Sequence, residues 1–196
     1  MATRLLFLLA LTLAWAGAAR AMPIVYTASL NGASENPFVA SPGSGTATVT
    51  YDPVAHTLSV MADFMGLSGN TTAAHIHCCV APPGNVGVAT TTPSFVGFPL
   101  GVTAGSYNAV LDLTLASSYN PAFIVDTISG AELTLAQGLA AGQAYFNIHT
   151  TLHPGGEIRG FLTAESVPEP ASLALVGLGL AGLVAGRRQP RRHPAE

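Results

Sequence analysis

Short segments of alternating apolar and polar residues run through the middle of this chain of 196 residues. Such alternation predicts antiparallel β-strands with one buried face, because successive side chains of a strand point to opposite sides. In the segment 45–52, for example, Ala47, Val49 and Tyr51 share one face. We predict seven or eight strands, at residues 24–30, 45–52, 57–64, 72–78, 86–90, 107–113, 143–149 and 157–163.

One stretch, residues 130–142, departs from this alternation. It is rich in helix formers and ends on Gly142, which predicts a short helix. Proline and glycine at 82–85 and 154–156 indicate turns between strands. Antiparallel strands with one short helix indicate an all-β fold, a Greek-key sandwich or barrel.

The first 21 residues have the pattern of a secretory signal peptide. Arg4 precedes an apolar run at 5–15, and a series of small residues follows it up to Ala21. The run is about half of the roughly 20 residues that a membrane-spanning helix needs, which argues against an uncleaved anchor. We predict cleavage after Ala21, with 16–18 as a second candidate site.

The other end of the chain has the pattern of a membrane anchor. Pro168, Glu169 and Pro170 precede an uncharged run at 171–186, and four arginines follow between 187 and 192. As a helix the run would reach roughly 24 Å, which predicts a thin C-terminal transmembrane helix with the preceding domain outside. The chain is thereby divided into a signal peptide (1–21), a β domain (22–166) and an anchor segment (167–196).

This tail resembles the PEP-CTERM sorting tail, which combines a Pro-Glu-Pro motif, an apolar helix and a terminal arginine cluster. The resemblance implies that an exosortase-type membrane enzyme recognises and cleaves the tail. The protein would then be exported and anchored in the inner membrane through its C-terminal helix before processing. Afterwards it would be delivered to the cell surface or the extracellular matrix of a Gram-negative bacterium.

The charge of the predicted domain excludes one class of partner. Between residues 22 and 166 the chain has no lysine and one arginine against eight acidic residues, a formal charge of −7. Such a surface repels phosphate backbones, so we do not expect nucleic acid as a partner.

The two cysteines of the chain, Cys78 and Cys79, are adjacent. In an exported protein they meet an oxidising compartment. They could form a vicinal disulfide or an intermolecular bond, act as thiol ligands or remain free. The sequence leaves these alternatives open.

Three histidines are the candidate metal ligands of the domain. His75 and His77 are two residues apart on a predicted strand and therefore point to the same face, and His149 ends another predicted strand. Neutral imidazoles in such an arrangement are often ligands of copper or zinc. The structural alternative is that the three rings form hydrogen bonds that hold two neighbouring strands and the turn at 154–157. Copper/zinc superoxide dismutase also has a His-x-His strand, but this chain lacks that enzyme's dense loop histidines, and we do not expect dismutase activity.

Arg159 is the one arginine of the domain and shares a predicted strand face with Glu157, which predicts an ion pair between them.

The sequence has no nucleophile elbow, phosphate-binding loop, cofactor fingerprint or paired-carboxylate motif. We therefore expect that the protein is not an enzyme.

The domain as a whole resembles the CHRD domain, over about residues 24–164. The segments that carry the resemblance are 26–30, 45–47, 74–77, 145–150 and 154–160. The CHRD domain was named from chordin, an extracellular regulator of signalling ligands, and it recurs in exported bacterial proteins. The resemblance implies a non-enzymatic module that binds another extracellular molecule, protein or polysaccharide. The alternative function is an exported protein that binds copper or zinc through the three strand histidines.

Overall fold

The computed structural model describes residues 21–165. The predicted signal peptide, apart from residue 21, and the predicted sorting tail with its transmembrane helix lie outside these described residues. Within residues 21–165, no helix is long and apolar enough to cross a membrane.

Eight antiparallel strands of the described region form one curled sheet, in the manner of half a barrel. Across the sheet the strands follow the order β4-β6-β7-β1-β2-β3-β5, and β8 pairs with β1. The strands are β1 (Ile24–Asn31), β2 (Ser44–Asp52), β3 (Thr57–Met65), β4 (Thr71–Cys78), β5 (Gly105–Asp112), β6 (Ala144–Thr150), β7 (Ile158–Phe161) and β8 (Thr163–Ala164). One α-helix, α1 (Ile128–Ala140), lies between β5 and β6.

The antiparallel strands and the single short helix are confirmed. Of the two predicted architectures, sandwich or barrel, the single curled sheet is nearer to the barrel, and two packed sheets are not observed in the described residues. The segment predicted as a strand at 86–90 makes only isolated bridges, Val88 with His77 and Thr90 with Tyr119. Ile76 O accepts from both Ala89 N and Thr90 N, which is not the regular spacing of a strand ladder.

The hairpin of β2 and β3 shows how local sequence determines the register. The Asp52 carboxylate accepts hydrogen bonds from the backbone N–H groups of Val54 (2.8 Å) and Ala55 (2.9 Å), which closes the turn. His56 has a positive φ of 54° at the end of that turn. The alternating side chains of both strands then bury one face, with Val49 opposite Val60.

Helix α1 packs on the apolar face of the sheet through buried residues that include Leu135 and Leu139. Thr127 caps its first turn by accepting a hydrogen bond from Gly130 N (3.0 Å). Gly138, which interrupts the helix-forming sequence, lies against the sulfur atoms of both cysteines, where any Cβ would collide with them. The glycine is therefore required by this contact and not by the helix itself.

The opposite face of β4, β6 and β7 is polar, yet it is also buried, because three loops cover it. These covering loops are residues 32–43, 79–104 and 151–157. The longest of them wraps the free edge of β4, where Phe95 N donates to Ala74 O (3.1 Å). The candidate site lies between this polar face and the covering loops.

Candidate metal centre

Strand alternation places the three predicted histidines on the covered polar face. On β4, Ile76 points into the core, so His75 and His77 point away from it. On β6, Ile148 points into the core and His149 does not, and the strand pairing sets His149 opposite Ala73. One ligand nitrogen from each histidine lies within 4.8 Å of those of the other two.

Each ring is oriented by a hydrogen bond from its other nitrogen to a backbone carbonyl of the covering loops. The pairs are His75 Nε2 with Pro93 O (2.6 Å), His77 Nδ1 with Val86 O (2.8 Å) and His149 Nδ1 with Pro154 O (2.9 Å). A carbonyl oxygen only accepts, so these nitrogens carry the proton and the remaining three carry a free lone pair. Those remaining atoms, His75 Nδ1, His77 Nε2 and His149 Nε2, are buried without a hydrogen-bond partner.

The three imidazoles are neutral at pH 7. Burial lowers the pKa of His75 and of His77 to about 4, and the hydrogen bond to a carbonyl offsets only part of that effect. Burial also lowers the pKa of His149. Neutral rings with converging lone pairs are the form in which histidine binds a metal ion.

The structural alternative explains half of this arrangement. One nitrogen of each ring does hold the fold together. His149 bonds to the predicted turn at Pro154, whereas His75 and His77 tie β4 to another covering loop and not to a neighbouring strand. The other three nitrogens have no structural role in the described residues, and a buried polar atom without a partner costs free energy. A metal ion at this position stays a prediction.

Tyr145 and Arg159 stack beside the histidines. The Tyr145 ring lies parallel to that of His77, with 4.7 Å between centroids and an interplanar angle of 7°. The Arg159 guanidinium carbon lies 4.7 Å from the centroid of the Tyr145 ring, a cation–π contact. The Tyr145 hydroxyl also donates to the Val86 carbonyl (3.3 Å), the acceptor that orients His77.

Arg159 does not form the predicted ion pair with Glu157. Its side chain is 1% exposed, and its Nε lies 3.7 Å from Glu35 Oε2. Its hydrogen bonds go to the covering loops: Nε donates to Ser34 O (2.6 Å), Nη1 to Asn85 Oδ1 (2.6 Å) and Nη2 to Pro83 O (2.9 Å). These contacts occupy the guanidinium, so it joins two loops and is not free to attract anions to the histidines.

Glu157 faces a different set of partners. Its side chain is fully buried and accepts hydrogen bonds from four donors: Ser41 Oγ (2.6 Å), Ser68 N (2.5 Å), Gly69 N (3.1 Å) and Thr150 Oγ1 (2.7 Å). Burial by itself raises the pKa of this carboxyl, but the four donors together lower it to about 2. The carboxylate is stabilised by hydrogen bonds and needs no cation.

Two residues of the site were not identified from the sequence. Glu35, in the first covering loop, has a buried side chain whose Oε1 lacks a hydrogen-bond partner, and Asn147 on β6 has an unpartnered Oδ1. Burial raises the pKa of Glu35 to about 7, although the nearby Arg159 acts in the opposite direction. Alternation along β6 indicates that Asn147 shares a face with His149, but no sequence pattern connects Glu35 to them.

The cysteines form a vicinal disulfide, Cys78–Cys79. This resolves the alternatives left open by the sequence, because a disulfide sulfur is not a thiolate ligand. The bridge follows directly after His77 at the end of β4 and packs on α1. The candidate ligands are therefore the three imidazoles alone.

Comparison with known proteins matches two segments of the chain. The family model described as CHRD domain matches residues 26–162, and the model described as PEP-CTERM protein-sorting motif matches residues 166–192. The second match includes Pro168, Glu169 and Pro170, and such a motif is that of an exported protein sorted by an exosortase system. No curated protein and no solved structure matches the chain.

Proposed function

Since this chain belongs to the CHRD domain family, we propose that it is an exported, non-enzymatic binding protein whose domain holds one copper or zinc ion. The ligands are His75, His77 and His149. The ion is bound outside the cytoplasm, because the sorting motif belongs to exported proteins.

One observation carries this proposal. Three buried imidazole nitrogens converge within 4.8 Å of one another, each with a free lone pair and no other partner. Three lone pairs that point at one another repel, so the arrangement is stable only when a group that accepts electron pairs lies between them. A metal ion is such a group, and it gives all three unpartnered nitrogens a partner at once.

The hydrogen bonds behind the ligands support the same function. Metal-binding histidines usually donate their second N–H to a carbonyl or carboxylate, which fixes the ring orientation and the tautomer. All three candidate ligands do so. The acceptors lie in two of the covering loops, so these loops and the two strands together form the site.

The chemistry of the ligands favours copper or zinc. Imidazole nitrogen is a common ligand of both ions, whereas calcium and magnesium prefer oxygen ligands. Three neutral nitrogens also leave one coordination position open on a tetrahedral ion. The disulfide leaves no thiolate that would favour a softer site.

The destination of the protein follows from the tail. We propose that the C-terminal helix anchors the protein in the inner membrane until an exosortase-type enzyme processes it. The domain then reaches the cell surface or the extracellular matrix.

Elemental analysis of the purified protein tests the metal site. We expect one copper or zinc ion per chain after incubation with either metal at micromolar concentration and removal of the excess. A His75→Ala/His77→Ala variant should bind none, whereas the matched variant His153→Ala, which changes a histidine outside the cluster, should bind as the wild type does. A wild type that takes up neither metal would rule out the proposed function.

A second function, binding of an extracellular polysaccharide, is supported by a separate observation. A shallow groove on the sheet is lined mainly by small side chains and hydroxyl groups, together with one aromatic ring; its residues include Thr27, Ser29, Thr46, Thr48, Thr163 and Phe161. Hydroxyls and an aromatic ring are groups that contact sugars. Binding to isolated matrix polymer should be lost in a Thr46→Arg variant, which would fill the groove, while metal binding stays unchanged.

A further inference from the structure

The unpartnered buried side-chain atoms of the described residues belong to the histidine cluster and to two residues beside it. Among the described residues, five buried side-chain nitrogen or oxygen atoms have no hydrogen-bond partner. Three are the ligand nitrogens of the histidine cluster, and the other two are Glu35 Oε1 and Asn147 Oδ1. The number of such atoms in native proteins is small, so their concentration in one site requires an explanation.

Asn147 lies between the histidine cluster and Glu35. It lies on β6 two residues before His149 and on the same face, and strand pairing sets it opposite His75 on β4 and opposite Arg159 on β7. Its side chain is 2% exposed. The amide is therefore enclosed between the metal ligands on one side and the arginine on the other.

Glu35 meets Asn147 at Gly156. A Cβ built at Gly156 would lie 2.5 Å from both polar atoms of the Asn147 amide and 2.7 Å from Glu35 Oε1. Only a residue without a side chain allows the two groups to approach the third covering loop so closely. Gly156 also has a φ of 130°, a conformation that favours glycine.

Both oxygens are acceptors, which defines the missing partner. An amide oxygen has no proton to donate, and above its pKa of about 7 the Glu35 carboxylate has none either. Glu35 Oε2 is already directed toward Arg159, at 3.7 Å from its Nε, so Oε1 is the free end. Whatever satisfies both oxygens must bring two protons.

We infer that the metal ion carries a water molecule at its open coordination position, and that Glu35 Oε1 and Asn147 Oδ1 accept the two protons of this water. The inference rests on the proposed metal site. A metal ion with one bound water satisfies all five atoms. The ion accepts the three nitrogen lone pairs, and the water donates one proton to each of the two oxygens. Glu35 and Asn147 are then positioning residues that select a neutral, proton-bearing ligand over an anion.

At pH 8, where Glu35 is ionised, pulsed EPR of the copper(II)-loaded protein in H₂O and in D₂O detects such a water directly. We expect signals from three imidazole nitrogens together with strongly coupled protons that disappear in D₂O. Copper with three imidazole ligands but without such protons would overturn the inference, and would indicate that Asn147 donates directly to Glu35. This experiment needs no substitution, so it remains decisive if a variant does not fold.

Azide binding tests the role of Glu35. Azide brings no proton, so displacing the water leaves both oxygens unpartnered and binding to the wild type should be weak. A Glu35→Gln variant offers an N–H donor, and at pH 8 we expect azide to bind its copper(II) form about tenfold more tightly. The matched variant Glu132→Gln changes a buried carboxyl outside the site and should bind azide as the wild type does.

The two levels of the proposal fail differently. A protein that takes up no copper contradicts the metal site itself. A protein that takes up one copper ion per chain, but whose Glu35→Gln variant binds azide no more tightly than the wild type, contradicts only the assigned role of Glu35.

Discussion

Replacing Glu157 with glutamine tests whether a buried carboxylate without a cation holds the loops of this domain together. The side chain is fully buried, and four donors contact its two oxygens. In glutamine one oxygen becomes an NH₂ group, which cannot accept from Gly69 N. Two loops and the end of β6 would therefore lose their common acceptor.

The expected cost follows from the pKa of the group. The pKa of Glu157 is lowered from 4.5 to about 2 in the folded protein, which corresponds to roughly 3 kcal/mol of differential stabilisation of the ionised form. The substitution removes a charged hydrogen bond and leaves a buried donor unsatisfied, which by itself costs about 2–3 kcal/mol of stability, a similar figure. We expect Glu157→Gln to lower the free energy of unfolding by about 2–3 kcal/mol at pH 7.

The pH dependence gives a second, independent check. A depressed folded-state pKa adds stability that is fully present above the unfolded-state value of about 4.5 and is lost as the pH falls toward 2. The difference between wild type and variant should therefore shrink between about pH 5 and pH 2. Urea unfolding of the metal-free protein at several pH values measures it. The control is Glu165→Gln, the same change at an exposed position, which should leave the stability nearly unchanged.

Two results would refute this reasoning. A loss below about 0.5 kcal/mol at pH 7 would mean that the four hydrogen bonds do not stabilise the ionised carboxyl. A loss that stays constant down to pH 2 would mean that the cost comes from packing and not from charge.

Further predictions concern the histidines and two glycines. Because the pKa values of His75 and His77 are about 4 in the folded protein and about 6.5 when unfolded, metal-free wild type should lose stability as the pH falls from 6.5 to 4, relative to a His75→Ala/His77→Ala variant. Equal slopes in urea unfolding would contradict the burial of these rings. Gly138→Ala should lower stability by about 2 kcal/mol or more, since its Cβ would collide with both cysteine sulfurs, whereas Gln137→Ala should not; thermal unfolding compares them. Gly156→Ala should weaken copper binding at least tenfold in a calorimetric titration, and unchanged affinity would show that Asn147 and Glu35 need no such space.

The sheet could be predicted from the sequence because its strands obey a local rule. In the segments 45–52 and 57–64, apolar residues alternate with polar ones, so only one face of each strand can be buried. The Asp52 turn then fixes the register of that hairpin. The segment 86–90 is also rich in strand-forming residues, but it lies in a loop that wraps the edge of β4. Composition does not distinguish a strand from an extended loop, because the difference lies in the hydrogen bonds that the segment makes in the folded protein.

The partners of Arg159 could not be predicted for the same physical reason. Alternation predicts a common face for Glu157 and Arg159, but Glu157 lies just before β7, and a face says nothing about what covers it. Glu35 lies 124 positions before Arg159 in the chain and approaches it only because a loop folds over β7. Glu157, two residues away, instead meets the donors of other loops.

The histidine site was partly predictable, since the His-x-His spacing and the β6 alternation bring three imidazoles to one face. The sequence does not show which nitrogen of each ring carries the proton. The tautomers depend on the carbonyls of Pro93, Val86 and Pro154, which belong to loops without regular structure. Whether a histidine has a free lone pair is thus determined by tertiary contacts.

The disulfide and the export of the protein bear jointly on the choice of metal. Thiolate ligands of reduced cysteines favour copper(I). In this domain Cys78 and Cys79 are joined to each other and packed on α1, which suits an oxidising compartment. The site then has imidazole ligands only, and these suit copper(II) and zinc, the states of the two metals that persist where disulfides do. Competition between zinc and copper(II) for the same three nitrogens should therefore favour copper, as the general order of divalent affinities requires.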